Sequence, residues 1–146
     1  MSTNFDIQIL EQGDFAAAQA FYETVGYFDP ITPGSIVVAA RDKDHRIVGV
    51  VRLCREEGVQ ILRGMMLAPS VQRQGLGSRM LQVLKNGLDP ECCYCLPHDW
   101  LDGFYGQIGF RTIAENRLPP HLLERLRRYR AGPYPHIIAM KTGSLI

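Results

Sequence analysis

The residues best suited by type and spacing to chemistry form a short glycine-rich loop, Gln72-Arg73-Gln74-Gly75-Leu76-Gly77, followed by Ser78. An apolar run of strand character over 59–67 precedes the loop, and an amphipathic helical pattern over 76–88 follows it. The first turn of a helix has unpaired backbone N–H groups, and the positive end of the helix dipole lies there too. Glycine lets a bulky anion approach the backbone, and Arg73 adds positive charge. The pattern therefore predicts a cradle for a diphosphate group.

Two other glycine-rich phosphate loops do not fit this chain. No segment reads G-x-x-x-x-G-K-[ST], and the dinucleotide fingerprint G-x-G-x-x-G fails because Met80 stands where its third glycine is needed. A glycine-rich turn that only joins a strand to a helix remains as the structural alternative.

The loop resembles the acyl-CoA loop of the GNAT acetyltransferase superfamily, whose signature is Q/R-x-x-G-x-G/A, and residues 72–77 match every position. Met65-Met66-Leu67-Ala68-Pro69 is similar to the end of that family's fourth strand. Gly103-Phe104-Tyr105-Gly106-Gln107-Ile108-Gly109-Phe110 resembles its late x-F-Y-x-x-x-G-F motif. The resemblance extends over about residues 5–142 and implies a GNAT-type N-acetyltransferase, an enzyme with acetyl-CoA as its cosubstrate.

The resemblance also implies roles for particular residues. The diphosphate of acetyl-CoA would lie against the loop from Gln72 to Ser78, and the pantetheine arm would run along Met65, Met66 and Leu67. A backbone N–H near Met66 or Leu67 would stabilise the tetrahedral intermediate. Tyr105 is similar to the tyrosine that donates a proton in this superfamily, and a phenol with a pKa near ~10 keeps its proton at neutral pH. The implied reaction moves an acetyl group to a primary amine by direct attack.

A base for the attacking amine is suggested by His98, which follows the apolar strand predicted over 91–96. Imidazole has the right basicity at neutral pH, but a histidine after a proline is also easily a surface residue of a loop. A water chain to the backbone would serve as well. The cysteines 92, 93 and 95 lack the paired C-x-x-C spacing of metal sites, so we expect buried thiols and no metal.

The order of elements predicts the fold class. Strands are expected over 5–10, 35–41, 47–55 and 59–67, with a helix after Asp14 that ends at Gly26. A strand–helix–strand unit then makes 59–67 and 91–96 parallel neighbours. Together with this order of elements, the resemblance implies an α/β (α+β) GNAT-like fold: a mixed, mostly antiparallel sheet flanked by helices, with one parallel, splayed strand pair at the acyl-CoA site. Strands over 110–117 and 136–140 complete it, and the helix inserted at 120–130 departs from the family's simplest hairpin.

Composition limits the remaining function classes. The 146 residues suit a single domain over 1–146, and a net charge of +1 argues against a nucleic-acid or membrane-surface binder. Without a membrane-length apolar run or signal peptide, a cytoplasmic protein is expected. The resemblance implies that the acceptor is a small-molecule amine or a peptide amine, and a homodimer is left open. The competing interpretations are a non-catalytic acyl-CoA sensor and a nucleotide-binding module.

Overall fold

The computed structural model describes residues 4–143, which contain both strands and helices. The strands, β1 to β7 in chain order, are Asp6–Ile9, Ile36–Arg41, Ile47–Glu56, Val59–Leu67, Cys93–Cys95, Arg111–Ile113 and Ala139–Lys141. The α-helices, α1 to α4, are Phe15–Thr24, Leu76–Leu84, Asp102–Gly106 and Pro120–Ala131.

The predicted fold class is confirmed. It is a mixed, mostly antiparallel sheet with flanking helices. The splay of the parallel pair stays a prediction. Among the described residues, no helix combines the length and apolar character that crossing a bilayer requires.

The chain divides into two compact units, one ending at Leu88 and one beginning at Asp89. The single domain over 1–146 stays a prediction, and the ends of that range lie outside the described residues.

In the first unit, β1 to β4 pair in chain order, each antiparallel to the next. The short polar links at 42–46 and 57–58 allow this meander, because antiparallel strands need only a tight turn between them. The hairpin between β3 and β4 turns at Glu57 and Gly58, whose φ angles are 50° and 84°, as the commonest two-residue hairpin loop requires.

Helices cover both faces of this meander, which explains why β2 and β3 are continuously apolar rather than alternating. Helix α1 packs Ala18, Phe21 and Tyr22 against one face, in a core shared with Val37 of β2 and Val50 of β3. The sequence predicts that the helix ends at Gly26; it ends at Thr24, two residues earlier, and Gly26 follows with φ 78° and donates its N–H to the Glu23 carbonyl at 3.2 Å.

Helix α2 packs on the opposite face, where Gly49 of β3 allows a close approach. A Cβ atom at residue 49 would lie 2.7 Å from Leu67 Cδ2 and 3.0 Å from Met80 Sδ, closer than side chains tolerate. The helix was predicted to run to residue 88, but it ends at Leu84. Its continuation is a 3-10 turn over Lys85–Gly87, and the side-chain amide of Gln60 donates to the Gly87 carbonyl at 2.9 Å.

In the second unit, β7 lies between β5 and β6 and is antiparallel to both. The strand predicted over 91–96 shortens to Cys93–Cys95, because the Asp89 carboxylate accepts the Glu91 N–H at 2.9 Å and forms a turn. The strands predicted at 110–117 and 136–140 shorten to three residues each, Arg111–Ile113 and Ala139–Lys141. The inserted helix is present as α4 and buries Leu122 and Leu126.

Candidate functional site

The glycine-rich loop joins β4 to α2, as predicted. After Leu67 the chain makes a 3-10 turn over Pro69–Val71 and then passes through two left-handed residues, Arg73 with φ 64° and Gly75 with φ 79°. Gly75 is the N-cap of α2. Left-handed backbone is readily adopted by glycine and strained in other residues, so the loop depends on glycine at residue 75.

The backbone donors of this loop point to the start of α2. The first hydrogen bond of the helix runs from the Arg79 N–H to the Gly75 carbonyl at 3.2 Å. Among the described residues, the N–H groups of Gly75, Leu76 and Gly77 donate to no backbone carbonyl, as expected for a first helical turn. They are therefore available to an anion at the positive end of the helix dipole.

The space beside these donors is open at Gly75. A Cβ built on Gly75 would meet no heavy atom of the described chain within 4 Å, whereas Gly77 is buried. The side chains of Gln72, Arg73 and Gln74 are exposed around the opening. The amide of Gln72 folds back and donates to the Leu67 carbonyl at 3.3 Å. The loop therefore fits a diphosphate, which needs room, N–H donors and positive charge in one place.

Strand β4 carries a bulge just before the loop, which the sequence analysis did not predict. Val50 pairs with Met66 and Arg52 pairs with Arg63, so Gly64 and Met65 together oppose the single residue Val51. Gly64 has φ 69°, which makes this the type of bulge that places a glycine in the left-handed region. The predicted pantetheine segment, residues 65–67, follows the bulge and is half-buried.

A buried polar cluster on the α1 side of β3 and β4 was also missed. Arg52 is 1% exposed, and its Nη2 donates to Asp29 Oδ2 at 2.8 Å. Arg63 Nη2 lies 2.8 Å from the same oxygen. The Arg52 guanidinium lies 5.4 Å from the centroid of the Tyr22 ring and 5.6 Å from that of Tyr27. An arginine inside the apolar run of β3 was the signal that could have revealed the cluster.

The hydroxyl of Tyr22 connects this cluster to the bulge. It donates to the Gly64 carbonyl at 2.8 Å, and the side chain is fully buried. Burial raises the pKa of Tyr22 far above its ordinary value because the phenolate would lose its hydration, although the charge of Arg52 opposes the shift. Tyr22 is therefore a hydrogen-bond donor at all ordinary pH values.

Tyr105 lies on α3 in the second unit. The four-residue spacing of Phe104 and Ile108 predicts that both lie on the inward face of a helix and that Tyr105 lies on another face. Instead Tyr105 is 6% exposed and Phe104 is half-buried. The difference arises because α3 ends at Gly106, so Ile108 reaches the core from the following turn rather than from the face of Phe104. The Tyr105 ring meets Phe110 edge-on at 6.1 Å, and its role in catalysis stays a prediction.

His98 lies at the N-terminal end of the 3-10 turn that precedes α3, also in the second unit. Its imidazole stacks on the Trp100 indole at 4.3 Å between centroids, and the Tyr134 ring approaches it edge-on at 5.7 Å. It is half-buried and forms an isolated bridge with Ile137. His98 is thus held by aromatic neighbours, and its role as a base stays a prediction.

The cysteines that invited a metal proposal are free thiols. Cys93 and Cys95 are buried and Cys92 is half-buried. Burial raises the pKa of the Cys95 thiol well above its ordinary value, so it remains protonated. Within the part of the chain that the structure describes, no group of three metal-ligating side chains occurs.

Comparisons with solved structures identify proteins of the same fold. N-acetylglutamate synthase from Neisseria gonorrhoeae, complexed with coenzyme A and N-acetyl-glutamate, matches with a TM-score of 0.62 and 16% identity over 97% of this chain. This chain spans only 35% of that protein's length.

Two further structures match over nearly their whole length. Ribosomal-protein-S18-alanine N-acetyltransferase from Escherichia coli has a TM-score of 0.63 and 16% identity over 95% of this chain and 93% of its own. An aminoglycoside 6′-N-acetyltransferase complexed with coenzyme A has a TM-score of 0.65 and 14% identity over 94% of this chain and 96% of its own. At such identities the likeness shows the fold alone.

A search of curated proteins found no match to this chain. The family model described as the acetyltransferase (GNAT) domain matches residues 32–112. This match includes β2 to β5, the glycine-rich loop, α2 and α3, and it extends over more than half of the chain. The chain therefore belongs to the GNAT acetyltransferase family of enzymes.

Proposed function

We propose that this protein transfers an acetyl group from acetyl-CoA to a primary amine by direct attack of the amine on the thioester. The observation that carries the proposal is the loop at the start of α2, where Gly75 leaves open space beside unpaired backbone N–H groups. A diphosphate is the part of acetyl-CoA that this arrangement suits. Two of the structurally similar proteins are complexes with coenzyme A, which supports the same choice of cosubstrate.

The cosubstrate would be held by backbone more than by side chains. Within the loop from Gln72 to Ser78, the N–H groups of Gly75, Leu76 and Gly77 would receive the diphosphate, and Arg73 would supply charge from its exposed side chain. The amides of the pantetheine arm would pair with Met65, Met66 and Leu67. A bulge interrupts regular pairing at Gly64 and Met65, and such interruptions are common beside active sites.

Direct transfer requires two proton movements. The acceptor nitrogen must lose a proton before it can attack, and we assign this step to His98 or to water. The departing sulfur must be stabilised, and we assign the proton donor to the Tyr105 hydroxyl. A phenol suits this role because it remains protonated at neutral pH. A backbone N–H near Met66 or Leu67 would stabilise the oxygen of the tetrahedral intermediate.

The acceptor class is a primary amine, on a small molecule or on a peptide. The similar proteins include one named for an alanine of a ribosomal protein and one named for an aminoglycoside, so both kinds of amine are accepted on this fold. We expect the protein to act in the cytoplasm.

The proposal is tested by release of coenzyme A thiol from acetyl-CoA in the presence of a panel of amines. The panel includes amino acids, polyamines, an aminoglycoside and short peptides with free N-termini, and mass spectrometry identifies the product. We expect amine-dependent thiol release and an acetylated amine. Tight binding of coenzyme A without turnover of any amine would instead support a sensor, and preferential binding of NAD or ATP would refute the assignment of the loop.

A further inference from the structure

The buried polar cluster of the first unit meets the backbone of β4 at Gly64. Tyr22 donates its hydroxyl hydrogen to the Gly64 carbonyl at 2.8 Å, across 42 residues of sequence. Residue 64 cannot carry a side chain here, because a Cβ would collide with the Tyr22 hydroxyl and lie 2.6 Å from Arg52 Nη1. The bulge and the cluster are therefore fitted to each other.

The direction of the Tyr22 hydroxyl is fixed by its surroundings. The ring is fully buried, and the Tyr27 ring lies edge-on against it at 4.7 Å. The Arg52 guanidinium lies over the ring and is itself held by the 2.8 Å bond to Asp29. A side chain confined on every side in this way has one position for its hydroxyl, and that position determines where the Gly64 carbonyl points.

The carbonyl orientation has a consequence for the next residue. A peptide unit is planar and trans, so the Gly64 carbonyl and the Met65 N–H point in opposite directions. Fixing one therefore fixes the other. Met65 begins the segment 65–67, whose backbone groups are those assigned above to the pantetheine arm and to the oxygen of the intermediate.

We propose that Tyr22 is a positioning residue for acyl transfer, which acts by orienting the Gly64–Met65 peptide at the bulge of β4. The inference rests on the proposed function of the segment 65–67. The Tyr22 side chain extends from α1 into the core, and it would affect the reaction only through this peptide. Small misplacements of groups around a reacting centre are enough to slow catalysis strongly.

The chain offers a matched control for testing this role. Tyr27 is also packed against Arg52, at 5.6 Å, but its hydroxyl bonds to Asp29 Oδ2 at 3.3 Å rather than to the backbone of β4. Tyr22→Phe and Tyr27→Phe each remove one oxygen from the same cluster. For Tyr22→Phe we expect kcat to fall about tenfold, with the Kd of acetyl-CoA, measured by calorimetry, within about twofold of wild type. For Tyr27→Phe we expect kcat within about twofold of wild type.

Two measurements accompany the kinetics of both variants. Thermal unfolding reports stability, which a merely structural role would lower in either variant without separating their kcat values. Backbone amide resonances of Met65, Met66 and Leu67 report the orientation of the peptide, and we expect them to shift in Tyr22→Phe and to stay unchanged in Tyr27→Phe.

The inference is overturned if wild type is active and Tyr22→Phe keeps its kcat, or if both variants lose kcat equally. If the wild-type protein acetylates no amine, the proposed function is refuted separately. The amide resonances of Met65, Met66 and Leu67 then still test whether Tyr22 orients the peptide at the bulge. Unchanged resonances of Met65 to Leu67 in Tyr22→Phe would then overturn the positioning role.

Discussion

Replacing Gly75 by alanine tests whether the loop before α2 binds the diphosphate of acetyl-CoA. Gly75 has φ 79°, and a Cβ there would meet no heavy atom of the described chain within 4 Å. The substitution therefore adds no collision inside the protein. It adds only the cost of a left-handed backbone, about 1–2 kcal/mol in the free energy of unfolding.

The effect on ligand binding should exceed this cost in stability. The added methyl group would lie in the space proposed for the diphosphate. It would displace the diphosphate from the backbone N–H groups at the start of α2. A hydrogen bond to a charged group contributes about 1.5–3 kcal/mol. Loss of one such bond lowers affinity by about tenfold to a hundredfold.

Gly58→Ala is the matched control for Gly75→Ala. Gly58 has φ 84° and equally open space, but it lies in the hairpin turn between β3 and β4. Both variants should unfold about 2–8 °C below wild type, and calorimetry with acetyl-CoA should show weakened binding only for Gly75→Ala. Unchanged affinity in Gly75→Ala, or equal losses in the two variants, would refute the cradle.

Three further changes test other parts of the molecule. Tyr105→Phe should lower kcat by about a hundredfold and leave the Kd of acetyl-CoA within about twofold; equal losses in both would contradict its role as proton donor. Asp29→Asn removes the carboxylate partner of the buried Arg52 and should lower the free energy of unfolding in urea by about 2–4 kcal/mol. The surface variant Asp44→Asn should leave the urea midpoint nearly unchanged. Because burial raises the pKa of Tyr22, folded chains retain a proton that unfolded chains release above about pH 10. The free energy of unfolding should therefore fall as pH rises beyond that value, and Tyr22→Phe should make the fall shallower in urea titrations.

The sequence predicts most of the first unit because local signals there agree with one another. The β4 strand matches its expected bounds, and Gly26 and Gly75 lie at helix ends as the turn chemistry indicates. The bulge at Gly64 could not be predicted, because a glycine within a strand is equally compatible with regular pairing until its partner strand is known.

Tertiary contacts account for the rest. The cluster around Arg52 joins residues 22–29, from α1 and the loop after it, to residues 52–63 of β3 and β4, and no short window of sequence contains both stretches. The burial of Tyr105 does not follow from helical spacing, because α3 ends at Gly106 and the spacing does not continue to Ile108. The strands of the second unit are shorter than predicted because side chains form turns at their ends. The turn in which the Asp89 carboxylate accepts the Glu91 N–H is one example.

Gly49 lies in the layer between β3 and α2, and we expect it to affect ligand affinity although no ligand reaches it. A Cβ at residue 49 would lie 2.7 Å from Leu67 Cδ2 and 3.0 Å from Met80 Sδ, so both side chains would have to move, and a large side chain there would shift α2. The glycine-rich loop is attached to α2 and would be carried along. A mutational screen for loss of coenzyme A binding should therefore recover residue 49 together with residues 72–78. Because Gly49 is buried, it would act by setting the distance between the sheet and α2, not by contact with the ligand.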